Sequence, residues 1–299
     1  MKKAFIQLHT AVFLAGFTAI LGKLILLNEG LLVWYRLLMS ILILGVGLLY
    51  KNKLEKIAWI DFAKIMGVGL ILAFHWVAFY GSVKYGNVSV AVVCLSAAGF
   101  FSALIEPLIL RKKVVMVEVF LGLLAVLGIY IIFDFNPQFK VGIIFGMISA
   151  VGSATFPILN KKLLERFSPK TLTFYELSGG FLLLSLLLPF YFMKFAPQYY
   201  IPSLADTGWL FILVAVCTVF AYDLQLNALT KISAFTSNLT YNLEPLYGII
   251  LAFLLFKEHH LLNGYFYVGL LLIVLAIALQ MLRVMYFVKV PDVPDVQKG

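Results

Sequence analysis

The chain of 299 residues contains 63% hydrophobic and 12% charged residues and has a formal net charge of +9. A soluble domain of average composition has about 25% charged residues, so this composition excludes a protein surrounded by water alone. The positive charge accompanies no basic face or nucleic-acid motif, which excludes nucleic acid as a partner. The two cysteines, Cys94 and Cys217, lie inside apolar runs, and no disulfide framework or metal-ligand spacing is present.

Apolar runs long enough to cross a bilayer follow one another along the chain. A helix needs about 20 apolar residues to cross the hydrocarbon core, and the runs are continuous, unlike the alternating pattern of a membrane barrel. The pattern predicts ten transmembrane helices, over residues 4–27, 31–50, 61–83, 88–110, 115–133, 141–163, 171–192, 208–229, 232–256 and 263–285. The first run is too long for a cleaved signal sequence, so we expect it to be retained as the first helix.

Basic residues in the predicted loops indicate the orientation of the helices. If the N-terminus is cytoplasmic, seventeen lysines and arginines fall in inside segments and five at outside ends, with Arg36 inside a span. This bias predicts a multi-pass protein of the cytoplasmic (inner) membrane with both termini in the cytoplasm. We expect the loop over 193–207 to lie along the membrane surface and residues 291–299 to form a disordered cytoplasmic tail.

The two halves of the chain share a pattern of five helices each. The matching positions pair span two with seven, three with eight and four with nine: Arg36 with Glu176, Trp76 with Tyr222, and 89–91 with 235–237. Two apolar helices can align by chance, but the even number of spans and the charge bias favour a real duplication. An odd number of helices per half inverts the second half, as in secondary transporters with a site near the membrane midplane. The sequence therefore predicts an all-α integral membrane fold of ten transmembrane helices in two inverted five-helix repeats, over 1–135 and 136–290.

One segment of span nine points to a known family. Residues 233–245 read SAFTSNLTYNLEP, and Lys257-Glu258 ends the same span. They resemble the ninth helix of the drug/metabolite transporter superfamily, in particular of its ten-helix EamA-type exporters, with a small-residue entry, a proline within the helix and an acidic residue at its end. Residues 16–23, GFTAILGK, are similar to the family's first helix, and Arg36 stands where the family often has an arginine in helix two.

The resemblance covers nearly the whole chain and implies export of small metabolites by two EamA-like repeats. The chain departs from the family pattern in its first half, where Gly99 stands at the position of Pro245 and Lys112 at the position of Glu258. The small multidrug exporters of the superfamily use an acidic residue in helix one for proton coupling, and span one here has none. These departures leave the mechanism of coupling open.

A few polar side chains lie inside the predicted spans, where a charge costs roughly 2.5–3.5 kcal/mol on insertion. Such side chains face the protein interior and mark solute pathways. We therefore predict a substrate-binding site formed by Arg36, His75, Trp76, Tyr222, Asp223, Asn238, Tyr241, Asn242 and Glu244. Pro245 removes a backbone hydrogen bond and is predicted to bend the ninth helix beside Glu244.

Several of these residues also have a structural interpretation. Arg36 and Glu176 lie near opposite ends of their spans and either line opposite vestibules or pair locally. Glu244 either contacts a solute at mid-membrane or clamps two helices together. His75 either carries a proton or forms a buried hydrogen bond. Asp223 faces either a cavity or the cytoplasmic interface.

The leading hypothesis is a secondary active transporter, an exporter by resemblance, that moves small organic metabolites such as amino acids by alternating access. Charges of both signs suit a zwitterion, and the absence of a P-loop sequence excludes ATP hydrolysis through that motif. No catalytic motif indicates an enzyme and no cofactor is predicted; a membrane-embedded enzyme or a channel without alternating access is the alternative. Expected partners are a small-molecule substrate and the lipid bilayer, with protons as a candidate coupling ion and a homodimer as a candidate assembly.

Overall fold

The computed structural model describes residues 2–50, 55, 57–134, 137–232, 237, 240, 241 and 243–287. All regular secondary structure in this part of the chain is helical. The helices are α1 (Lys2–Leu24), α2 (Glu29–Tyr50), α3 (Trp59–Tyr85), α4 (Val88–Leu95), α5 (Ala98–Leu110), α6 (Met116–Asp134), α7 (Lys140–Leu163), α8 (Pro169–Phe192), α9 (Leu204–Val214), α10 (Ala221–Lys231), α11 (Glu244–Phe256) and α12 (Gly264–Phe287). A π-helical segment, Ala215–Phe220, joins α9 to α10. The predicted tail over 291–299 and the predicted site residues Asn238 and Asn242 lie outside the described residues.

These helices correspond to the ten predicted spans. α4 and α5 together form span four, and α9, the π-helical segment and α10 together form span eight. Eight stretches of the described chain are long and apolar enough to cross a membrane, and α6 and α11 supply two shorter apolar helices. The protein is thus an all-α multi-pass membrane protein, which confirms the predicted fold class.

The duplication extends to the geometry of single residues. α5 begins at Ala98 and α11 at Glu244, and each runs for 13 residues. Each helix is followed by a residue in the left-handed region, Arg111 after α5 and Lys257 after α11, both with φ of 52°. Non-glycine residues rarely adopt this conformation, so its occurrence at equivalent points indicates a common origin of the two helices.

Pro245 lies elsewhere in its helix than the sequence predicts. It occupies the first turn of α11, which begins at Glu244 directly after a turn residue, Leu243. A proline costs no hydrogen bond there, because the first N–H groups of a helix have no partner within it. Ser96 and Ala97 form a turn between α4 and α5, directly before the start of α5. α5 and α11 therefore both begin near the middle of their predicted spans.

Helices of the two halves pack against each other across the bundle. α3 packs against α7 and α8, α1 against α10 and α11, and α6 against α12. The bundle has two ends. We call the end at which α1 begins the near face and the end at which α1 finishes the far face. On the near face Arg166 forms a bidentate ion pair with Asp61, with both N–O distances 2.9 Å. On the far face the Lys23 Nζ lies 2.7 Å from Glu258 Oε1.

The loop before α9 covers part of the far face. Residues 193–203 contain turns and bends and no helix. Phe195 stacks on Tyr191, with ring centroids 4.8 Å apart, and its carbonyl accepts a hydrogen bond from Asn28. Met193 and Ile201 are exposed at the same loop. Its position along a membrane surface stays a prediction.

Gly69 marks a close approach of α3 to α8. A Cβ atom at this position would lie 2.0 Å from the carbonyl oxygen of Glu176 and 2.9 Å from the amide nitrogen of Gly180. Both neighbours are backbone atoms, so a larger residue could be accepted only if the helices moved apart. The absence of a side chain at Gly69 therefore sets the distance between the two halves.

We expect Gly69→Val to destabilise the fold by about 1–3 kcal/mol, the range for overpacked cores. Thermal unfolding of the purified protein in detergent measures the effect. Gly67→Val is the matched control, because Gly67 is on the same helix and a Cβ there would have nothing within 4 Å. Equal unfolding temperatures for the two variants would contradict the assigned helix contact.

Candidate functional site

A polar cavity lies between the two halves near the middle of the spans. Its accessible volume is about 110 Å³. By the same measure a water molecule needs roughly 10–15 Å³, so the cavity has room for several waters or a small polar solute. Its polar and aromatic lining comes from both repeats: Thr18, Arg36, His75, Trp76, Phe79, Ser153, Phe156, Cys217, Thr218, Tyr222, Gln225, Tyr241 and Glu244.

Arg36 of α2 presents a buried positive charge to this cavity. Its residue is 3% exposed, and its guanidinium carbon lies 3.6 Å from the centroid of the Trp76 ring, a cation–π contact. Nε donates a hydrogen bond of 2.8 Å to the Thr218 hydroxyl, and Nη1 one of 2.8 Å to the Tyr80 hydroxyl. Nη2 has no hydrogen-bond partner among the described residues. The guanidinium is thus fixed on one edge and open for an anionic group on the other.

The π-helical segment positions Thr218 for this role. Its hydroxyl accepts the bond from Arg36 and donates one of 2.8 Å to the carbonyl of Leu213, five residues earlier. A π-helical turn contains an extra residue, which changes the direction of the side chains that follow, and such turns are frequent at functional sites. The helix of span eight is therefore irregular at the point where Thr218 contacts Arg36.

Glu244 presents an acidic side chain to the same cavity. It is 8% exposed and lies in the first turn of α11. Arg36 and Glu244 form no direct ion pair among the described contacts. Both side chains line the cavity, so the space between them is bounded by a basic and an acidic group.

His75 lines the cavity but also forms a structural hydrogen bond. Its Nδ1 lies 2.8 Å from the carbonyl oxygen of Ser149 on α7. A carbonyl oxygen can only accept, so Nδ1 carries the proton and donates. Ser149 in turn donates from its hydroxyl to the carbonyl of His75, at 3.1 Å. The histidine thus joins α3 to α7 as well as facing the cavity.

The other predicted residues divide between the cavity and its surroundings. Trp76, Tyr222 and Tyr241 line the cavity. Asp223 is half-buried and is not among the lining residues, because Ala221, Tyr222 and Gln225 line the cavity from one side of α10 and Asp223 lies on the other. Glu176 is fully buried, yet it lies behind Tyr222 and lines no vestibule.

A model of the EamA-like transporter family matches residues 2–134 and, a second time, residues 140–282. The chain belongs to the EamA-like transporter family. The family relationship agrees with the ten helices in two repeats and confirms the superfamily that the sequence resembles. An EamA-like transporter is a membrane transporter of small molecules.

Two further proteins are similar to this EamA-like transporter. An uncharacterised transporter from Archaeoglobus fulgidus is 29% identical over 121 residues, a match that spans 40% of this chain and 44% of that relative. A solved crystal structure superimposes with a TM-score of 0.65 at 15% identity, covering 94% of this chain and 97% of the other. The second comparison shows a shared fold.

Several residues in the cavity, or in contact with Arg36 beside it, do not follow from the sequence patterns. Tyr80 lies four residues after Trp76 on one face of α3, and this spacing is a signal that could have found it. Thr218 and Cys217 lie in the π-helical segment, for which the sequence contains no periodic signal. Among the described residues, no group of three His, Cys, Asp or Glu side chains is arranged to hold a metal ion.

Proposed function

We propose that this chain is a secondary active transporter that exports small zwitterionic metabolites, such as amino acids, across the cytoplasmic membrane by alternating access. One observation carries the proposal: Arg36 and Glu244 line the same cavity without pairing directly. Two buried charges are costly in a membrane protein unless each has a partner. A bound zwitterion supplies both partners at once, with its carboxylate toward Arg36 and its ammonium toward Glu244.

The remaining lining supports a solute of this size and polarity. Trp76 and Tyr222 form flat apolar walls from equivalent positions of the two repeats. The walls suit the apolar part of an amino acid, while Gln225 and Ser153 offer neutral hydrogen bonds. A phosphorylated solute would favour several buried basic groups, and in the described lining Arg36 is the one basic group with a permanent charge.

The inverted repeats support alternating access, because rocking of one half against the other exposes a midplane cavity to each side in turn. The bias of basic residues supports an inner-membrane location with both termini in the cytoplasm. The resemblance to EamA-type exporters supports export.

The proposal is tested with purified protein and with proteoliposomes. Binding of a ligand at 100 times its Kd stabilises the folded state by about 2.7 kcal/mol, so a panel of L-amino acids and uncharged metabolites should separate by thermal shift. Vesicles preloaded with unlabelled L-amino acids should then show transient uptake of a radiolabelled L-amino acid mixture. A channel gives no such counterflow. A thermal shift only with uncharged metabolites would contradict the zwitterion assignment.

Glu244→Gln removes the cavity anion and keeps the side-chain volume. We expect counterflow of the labelled L-amino acid mixture to fall about tenfold, the size of one lost charge-assisted hydrogen bond. Glu118→Gln is the control, because Glu118 forms an ion pair with Arg283, 3.0 Å away, outside the cavity. Wild-type counterflow in correctly inserted Glu244→Gln protein would contradict the proposed role.

A further inference from the structure

A second buried acidic group lies beside the cavity, in α8. Glu176 is 0% exposed, and its carboxylate accepts hydrogen bonds from the Tyr222 hydroxyl and, at 3.4 Å, from the Asn160 amide. Its other oxygen, Oε1, and the Asn160 carbonyl oxygen have no hydrogen-bond partner within the described part of the chain. The cluster therefore holds two buried acceptor oxygens that no described donor reaches, and a proton on the carboxylate would supply one.

No positive charge compensates this carboxylate among the described residues. α3 faces Glu176 with the backbone of Gly69, α7 with the Asn160 amide, and α10 with the Tyr222 phenol. α2 also packs against α8, but its Arg36 donates hydrogen bonds to Thr218 and Tyr80 and forms no ion pair with Glu176 among the described contacts. Tyr222 is thus the titratable group that reaches Glu176. A buried carboxylate left without a countercharge costs several kcal/mol, which a bound proton removes.

The repeat relates this cluster to the cation of the first half. Arg36 and Glu176 occupy equivalent positions, as do Trp76 and Tyr222. In the first repeat the guanidinium stacks on the aromatic side chain, and in the second the carboxylate accepts a hydrogen bond from it. Arg36 in the first repeat carries a permanent charge. Glu176 in the second repeat can gain or lose its charge by releasing or binding a proton.

Tyr222 connects this group to the solute. Its side chain lines the cavity, and its hydroxyl binds Glu176. A solute that displaces Tyr222 would therefore change the hydrogen bonding of the carboxylate. Conversely, a charge that appears on Glu176 would strengthen the hold on Tyr222 and reshape the cavity wall.

We propose that Glu176 is the proton-binding site of this transporter and that Tyr222 couples its loading to occupancy of the cavity. The proposal rests on the transport function proposed above and names the group that carries the coupling ion. One proton binds the Glu176 carboxylate in the arrangement of the structure, in which the carboxylate is buried. The proton leaves when a rearrangement around Tyr222 admits water to Glu176. A sodium ion at the same oxygens is the competing outcome of the test.

The experiment compares wild-type protein with Glu176→Gln, which mimics the protonated side chain, in proteoliposomes. A gradient of one pH unit supports about tenfold accumulation at one proton per solute. The wild type should accumulate the labelled L-amino acid mixture under one sign of the gradient. Glu176→Gln should retain counterflow without a gradient and lose this accumulation. Accumulation by the variant equal to wild type, or driving by a sodium gradient at constant pH, would overturn the proposal.

A second measurement covers the case of a variant that does not fold and uses the intact wild-type chain. Dicyclohexylcarbodiimide modifies protonated carboxyl groups in apolar surroundings, and mass spectrometry locates the adduct. We expect an adduct on Glu176 that decreases as the pH rises, and its absence at every pH would overturn the proposal. If the wild type shows no counterflow, the solute hypothesis fails, while the adduct still decides whether Glu176 binds a proton.

Discussion

Arg36→Lys should lower counterflow of the labelled L-amino acid mixture by roughly 100-fold, although the charge is retained. A lysine ammonium is a point charge on a flexible stem and cannot reproduce the planar fork of a guanidinium. The exchange would lose the simultaneous bonds from Nε to Thr218 and from Nη1 to Tyr80. It would also lose the stacking on Trp76, at 3.6 Å from the ring centroid. Hydrogen bonds to charged groups contribute about 1.5–3 kcal/mol each, which makes a hundredfold effect reasonable.

Initial rates of counterflow and thermal shifts with L-amino acids measure the two consequences, turnover and binding. Arg166→Lys is the matched control, because Arg166 also forms a bidentate interaction, with Asp61, but its side chain is 61% exposed on the near face. Exposed ion pairs contribute about 0–1 kcal/mol, so this variant should transport within a fewfold of wild type. If Arg36→Lys bound and transported as the wild type does, Arg36 would serve as a general charge and not as an oriented carboxylate ligand.

Much of the fold can be predicted from the sequence because lipid allows few solutions. Each span is a run of apolar residues whose backbone must bond internally, so helix number and order follow from composition. The repeat follows from pairs such as Trp76 with Tyr222. The interruption before Pro245 cannot be predicted in the same way. A proline is compatible with a kink in a continuous helix and with a helix start, and tertiary packing selects between them.

The candidate cavity could be predicted in part. Arg36, His75 and Glu244 stand out because ionisable side chains are rare in spans, and the structure brings all three to one cavity. Thr218 carries no such signal, since threonine is tolerated anywhere in a membrane helix and the π-helical turn that orients it has no sequence period. Asp223 has the right chemistry, but a single residue step around α10 turns it away.

We expect the contacts of Glu258 to be the main ones that hold the helices together at the far face. Its residue is 0% exposed, and its Oε1 lies 2.7 Å from Lys23 Nζ. Oε2 accepts bonds from the Ser89 amide, 2.8 Å away, and the Ser89 hydroxyl, 2.7 Å away. The Val88 amide donates to Oε1 at 3.2 Å. The carboxylate thus binds the N–H groups at the start of α4, which have no partner within that helix, at the point where the helix dipole favours an anion. It links α4 to α1 and to the end of α11.

The near face has no equivalent contact in the described chain. Lys112 follows Arg111 as Glu258 follows Lys257, so the repeat places a lysine where the far face has the carboxylate. Lys112 bonds the nearby Glu106 at 3.4 Å, and its side chain is 63% exposed. A cation cannot accept hydrogen bonds from a helix start. Among the described residues, a buried carboxylate bound to a helix start is therefore a feature of the far face.

Glu258→Ala should destabilise the protein by about 3 kcal/mol, the lower end for breaking a buried ion pair, because Lys23 is 34% exposed. At about 2–4 °C per kcal/mol, the unfolding temperature should fall by roughly 6–12 °C.

The Glu258→Ala variant should also open the far face more often. Cys217 lines the cavity and reports this opening in a Cys94→Ala background, where it is the one remaining cysteine.

A membrane-impermeant maleimide added from the far side should therefore label Cys217 faster in Glu258→Ala than in the parent. Glu106→Ala is the control, since it removes the weak near-face pair and should leave far-side labelling unchanged. Equal labelling of Glu258→Ala and the parent, together with a lower unfolding temperature, would make Glu258 a stabilising cap without influence on access. Faster labelling would instead show that loss of the Glu258 carboxylate increases the population of a state open to the far side. Such a shift is expected when a contact exists in only one of two conformations.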